Sequence, residues 1–161
     1  MRTFICFLIL ALPLMAEKVT FDTDYSVDFP EGWKKEDSPD KNALVYRVSA
    51  QGDASFAVAK LALPKNSRAD LKATLNAMIE GMKKGMKFLD EPKTTEGGID
   101  GKKAVFSRIF AQNGDTKMGY FLVAIDCKDR VFILQATLPN SASDQSRTDS
   151  MKIIQSFKKN K

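Results

Sequence analysis

The acidic run DTDYSVD at residues 22–28 holds the side chains that come nearest to a chemical site. Asp22 and Asp24 stand two residues apart, as the first two ligands of a calcium loop do, and Asp28 follows four residues on. The pattern then departs from that loop. Val27 sits where the loop needs glycine, and Trp33 where it needs a bidentate glutamate. Solvated turn acids are therefore the expectation, with a calcium-binding protein or a carboxylate-based, metal-dependent enzyme as the alternative. Asp126, Lys128, Asp129 and Arg130 read as the charged tip of a hairpin, and nothing resembles two carboxylates placed on opposite sides of a substrate.

The chain contains no histidine. That removes serine–histidine and cysteine–histidine nucleophile systems, histidine-ligated zinc and the usual general base near neutral pH. Glycine-rich phosphate cradles are missing too: EGGIDGK at residues 96–102 lacks the Lys-Ser/Thr ending and reads as a hairpin turn. Of the two cysteines, Cys6 lies in the N-terminal apolar run, which leaves Cys127 alone. Alternation in GYFLVAIDC groups Cys127 with Phe121, Val123 and Ile125, which favours a buried, inert thiol. No residue is assigned a catalytic, cofactor-binding or metal-ligating role, and no cofactor is expected.

Residues 1–16, MRTFICFLILALPLMA, have the layout of a secretory signal peptide: Arg2, an unbroken apolar stretch, then Pro13 and Ala16. The stretch is short of the roughly 20 residues a spanning helix needs. Cleavage is expected between Ala16 and Glu17, releasing one domain of residues 17–161 to a secreted or periplasmic location. The whole chain has a formal net charge of +5, to which the leader contributes only Arg2. Lysine groups at 83, 84 and 87, at 102 and 103, and at 158, 159 and 161 offer weak attraction to an anionic membrane or an acidic partner. Without interleaved aromatics they do not form a nucleic-acid footprint.

The elements that must position these side chains follow from periodicity. Residues 18–21 and 25–29 read as short strands, and residues 43–50 and 55–63 as a hairpin about the turn QGD. Leu71, Leu75, Met78, Ile79, Met82 and Met86 form one helical stripe, expected to pack on a sheet rather than to form a binding groove. Ser67 and Asp70 resemble a capping box at its start, and Gly85 marks its stop. From residue 103 onward a meander is expected, with Asn113-Gly114 as one turn and KDR as the next. Its strands are apolar on both faces, as Phe106 and Phe110 against Val105 and Ile109 show, so both faces must be covered. A second helix over residues 143–156 is expected to bury Met151 and Ile154, with Phe157 tucked in behind it. Pro30 and Gly32 place Trp33, the lone tryptophan, at a covered corner of the core rather than on a ligand platform.

YSVDFPEGWKK at residues 25–35 resembles the N-terminal signature of PsbP-like domains, a strand running into Phe/Tyr-Pro-x-Gly-Trp, and MKIIQSFKKNK at residues 151–161 is similar to their closing helix. The resemblance spans nearly the whole stretch after the leader. It implies an α+β fold, an antiparallel β-sheet sandwiched between helices. Plant members stabilise the oxygen-evolving photosystem, partly through histidines that this chain lacks, and a eukaryotic relative binds a nuclear GTPase. Exported bacterial relatives, the DcrB-like envelope proteins among them, are the nearer comparison. The resulting expectation is a non-enzymatic, exported binding or accessory module of the cell envelope whose partner is a protein or an envelope component.

Overall fold

The computed structural model describes residues 16–63 and 69–160. The leader at residues 1–16 therefore lies, but for Ala16, outside the described residues, as does Ser67. In chain order the elements are β1 (Glu17–Phe21), β2 (Tyr25–Phe29), β3 (Lys34–Lys35), β4 (Ala43–Val48), β5 (Ser55–Ala62) and α1 (Leu71–Lys83). Then follow β6 (Lys87–Phe88), β7 (Lys93–Ile99), β8 (Lys102–Asn113), β9 (Thr116–Asp126), β10 (Arg130–Pro139), α2 (Asp144–Gln155) and β11 (Lys158–Lys159).

Turn chemistry sets the registers. Asp100 and Gly101 both take positive φ, 51° and 70°, the geometry of a tight type I′ turn between β7 and β8. Between β8 and β9 the positive φ falls on Gly114, while Asn113 pairs with Thr116 as the last rung, so the turn sits one residue later than Asn113-Gly114 predicts. Gly52 turns β4 into β5. The result is an eight-stranded antiparallel sheet, β3-β4-β5-β10-β9-β8-β6, with β7 also paired to the outer edge of β8. A separate three-stranded sheet runs β1-β2-β11.

The two-faced strands are covered on both sides, as their pattern requires. On one face, Val123, Ile125, Phe132 and Leu134 pack with β2 and with Ile153, Ile154 and Phe157. On the other, Ile109, Leu122, Ala124 and Ile133 pack with Leu71, Leu75 and Ile79 of α1. The antiparallel α+β architecture is as expected, but helices do not flank the sheet alone. The first face is closed by the small sheet together with α2, because Tyr25, Val27 and Phe29 alternate at period two and bury as a paired strand.

Two local expectations are corrected. Asp70 is itself the N-cap of α1, its carboxylate accepting from the Ala73 N–H at 2.9 Å, and not the N3 residue of a capping box. In α2, Met151 is 41% exposed, whereas Ile153 and Ile154 are buried. The buried stripe runs through Ser146, Asp149 and Ser150, so the phase of this helix is set partly by polar residues that an apolar reading passes over.

The corner at Trp33 is packed. Gly32 has φ +88°, and a Cβ on it would stand 2.7 Å from that of Ala50, so glycine is required both for conformation and for space. Trp33 is 5% exposed and its ring lies 5.8 Å from that of Phe29. Arg47 locks the corner: Nη1 donates to the Trp33 carbonyl at 3.0 Å, and the guanidinium grips Glu17 with both nitrogens, at 2.6 and 2.8 Å.

Candidate functional site

Three hairpin tips meet at one end of the molecule. They are the β1–β2 turn (residues 22–24), the β7–β8 turn (Asp100 and Gly101) and the β9–β10 turn (residues 127–129), with Lys159 of β11 beside them. Together they surround an open cleft of about 660 Å³. Among the described residues, the non-glycine residues at positive φ, Asp22, Thr23, Asp100 and Lys128, all belong to these tips. For a β-branched residue such as Thr23 that conformation is an outlier, held here by its hydroxyl 2.7 Å from the Asp24 carboxylate.

Most of the acids at this end are paired with a cation. Asp22 accepts from Lys60 Nζ at 2.7 Å and from Arg130, and these partners, Lys60 first, hold its carboxyl below the usual range. Lys102 does the same for Asp100, helped by the Lys159 N–H at 2.9 Å. Asp129 is held low by Arg130, whose own guanidinium is pushed up by Asp129 and Asp22. Asp24 lies 4.0 Å from Lys159, and Asp28, at the far end of β2, 2.7 Å from Lys158. At the base of the cleft Tyr25 and Cys127 are buried side by side. Burial first, then the neighbouring thiol, pushes the tyrosine up to about 12, and burial pushes the Cys127 thiol up as well.

Asp22, Asp24 and Asp28 thus do not converge as a calcium loop would need; each faces a different cation. Among the described residues no three acidic or cysteine side chains are grouped as a metal-ligand set. The lysines expected to reach for an anionic surface are partly spent on acids, with Lys83 on Glu80, Lys102 on Asp100 and Lys158 on Asp28. Cys127 is buried with Ile125 and Val123, as alternation suggests. The convergence of the tips is not visible in the sequence, because it depends on the register of β8, β9 and β10. Its one trace is that the turns DTD, DGK and KDR carry acids, two of them with a base alongside.

No family model and no curated protein matches the chain. Solved structures do. Cyanobacterial PsbP (CyanoP) from Synechocystis aligns with a TM-score of 0.65 at 11% identity, over 91% of this chain and 94% of its own. The Ran-binding protein Mog1p of Saccharomyces cerevisiae aligns at 0.59 and 13%, over 89% and 95%. LpqN, involved in cell envelope biogenesis of Mycobacterium tuberculosis, aligns at 0.56 and 14%, over 94% and 88%. The chain also spans about half, 49%, of a longer chain from Bacteroides thetaiotaomicron, with 92% of its own length covered, 11% identity and a TM-score of 0.64. The molecule therefore has the PsbP-like fold, which is also that of Mog1p and LpqN, and the motifs at residues 25–35 and 151–161 point to the same fold. At these identities the likeness is one of fold.

Proposed function

We infer that the chain is an exported binding or accessory module of the cell envelope, not an enzyme, and that it engages a protein partner through its hairpin-tip end. One observation carries this reading. Among the described residues the acids of the three tips are held in ion pairs, Asp22 with Lys60 and Arg130, Asp100 with Lys102 and Asp129 with Arg130, and these carboxyls are held down while Tyr25 and Cys127 at the cleft base are pushed up, away from the neutral range. Acid–base and nucleophilic catalysis need the opposite, a group tuned toward the working pH. Ionised groups displayed on turns serve electrostatic recognition instead, since they steer and orient a partner of complementary pattern. Protein binding by Mog1p and the envelope role of LpqN are in keeping with it, and the signal-like residues 1–16 support export.

The test places a photo-reactive residue at Lys128 on the tips or at the exposed Lys152 on α2, in the native host. Adducts with one discrete protein from position 128 but not 152, lost when Lys159→Glu is added, support the reading. Equal adducts from both positions, or none, overturn it. Mass spectrometry of the protein recovered outside the cytoplasm is expected to give Glu17 as the N-terminus; an intact Met1 there would overturn export by cleavage.

A further inference from the structure

The α1 side of the main sheet holds a second cavity, away from the hairpin tips, and it is built from cross-strand rows. One row on this face runs Tyr46, Ala57, Gln135, Leu122 across β4, β5, β10 and β9. The next runs Val48, Ser55, Thr137, Tyr120. Side chains at paired positions share a face, so the small Ala57 and Ser55 leave a trough between Tyr46 on one side and Gln135, Thr137 and Tyr120 on the other. Helix α1 packs on β8 and β9 and reaches the trough only with Met78; the loop through Ser38 and Asp40 forms the opposite lip. The trough has a volume of about 320 Å³.

The floor of the trough is polar and half-buried, where the rest of this face is apolar. β10 is apolar on both faces through Val131, Phe132, Ile133 and Leu134, then places Gln135 and Thr137 on the face where their row neighbours Leu122 and Tyr120 are buried. Polar groups at such positions cost free energy unless hydrogen-bonded or wet. Gln135 Nε2 donates to Thr137 Oγ1 at 3.1 Å, which orients the amide within the trough. The polar groups are an amide and hydroxyls, which both donate and accept, alongside two phenol rings. Burial keeps the Tyr120 phenol protonated, hence a donor, across the neutral range. Among the described residues the lining carries no basic side chain, and its one acid, Asp40, already accepts from the Asn42 N–H at 2.8 Å.

We propose that this trough binds one neutral sugar ring of a glycan, its C–H face against Tyr46 and its hydroxyls on Gln135, Thr137 and Ser55. An anion would find no cation there, and a purely apolar ligand would strand the amide and hydroxyls. The volume lies at the lower end of ligand pockets, about 300–1,000 Å³, which suits a single ring with the rest of a chain leaving through the open mouth. The proposal is independent of the hairpin-tip reading, because the two sites share no residue.

The test titrates the purified protein with neutral mono- and trisaccharides of glucose, galactose, mannose and N-acetylglucosamine, and separately with choline and inorganic phosphate, following backbone amide resonances. Saturable shifts centred on Tyr46, Ala57 and Gln135 are expected with at least one sugar, with affinity reduced tenfold or more in Tyr46→Ala and in Gln135→Leu. Thr137→Val serves as a second floor variant should Gln135→Leu fail to fold. Saturation by choline or phosphate but by no sugar, no saturable shift with any sugar, or sugar affinity unchanged in the folded variants would each overturn the proposal.

Discussion

The two faces of the main sheet are closed in different ways. One is sealed by the β1-β2-β11 sheet and α2, and its contacts are aromatic: Phe132 lies 5.3 Å from Phe21, 4.8 Å from Tyr25 and 5.8 Å from Phe157, centroid to centroid. The other is closed by one helix whose stripe continues into the half-buried methionines Met78 and Met82. Interlocked rings accept few arrangements, whereas methionine fills irregular space and tolerates change. The sealing layer also joins distant parts of the chain, since β2 pairs with β11 and Ser26 Oγ bonds Asn160 at 2.9 Å. One face thus specifies the fold, while the other has slack enough to leave a trough.

The comparison is most directly broken by truncation on each face. Phe132→Ala is expected to cost about 3–5 kcal/mol, through a cavity at the junction of three rings. Leu75→Ala, equally buried under α1, is expected to cost less, about 2–3 kcal/mol, because the methionines beside it can collapse inward. Urea midpoints at constant m-value decide between them. Equal losses would mean that the two faces are equally rigid.

A smaller effect concerns how the sealing layer is pinned. Asp53, in the β4–β5 turn, accepts from the Ser143 N–H at the N-cap of α2 at 2.8 Å and from Ser49 Oγ at 2.7 Å, with Ser146 as a third donor. Burial alone would raise its carboxyl, but these donors, Ser143 foremost, hold it well below the usual range. A depressed folded pKa gives stability that is fully present above the unfolded value, about 3.9, and is lost as pH falls through the folded one. Asp22, Asp100 and Asp129 contribute in the same direction, so acid destabilisation should begin near pH 4. Asp53→Asn is expected to cost about 1–3 kcal/mol at pH 7 and to flatten part of that acid limb. An unchanged slope in a series of midpoints from pH 7 to pH 2 would show that the junction does not depend on the charge.

This division was only partly legible in the sequence. Period-two alternation and glycine turns are local signals, so β2, β5, β8, β9 and β10 and most of their turns could be read directly. That both faces of the meander are covered was legible too, because Phe132 and Ile133 are adjacent and both apolar. What covers them was not. A helix and a two-ply strand layer bury similar apolar surface, and β11 is only two residues long and exists because β2 offers it an edge. In α2 the burial of Ile154 was legible but Met151 was misplaced, because Asp149 and Ser150 are buried in its stead and Ser146 of the same stripe bonds Asp53 of a distant turn. The trough depends on which residues lie opposite Ala57 and Ser55, and register is a tertiary property.

The smallest expected effect is the sharpest measure of slack. Met78 is half-buried, belongs to the packing under α1 and also borders the trough. Truncating it opens space already continuous with solvent, so no closed cavity forms and the cavity contribution falls away. Met78→Ala should therefore cost about 1 kcal/mol or less, and Met78→Leu should be close to neutral. Thermal midpoints of both variants, read against Phe132→Ala, give the ratio that matters. A Met78→Ala loss as large as the aromatic one would mean that α1 is clamped as firmly as the sealed face, and that the trough is a rigid gap rather than the margin of an adaptable layer.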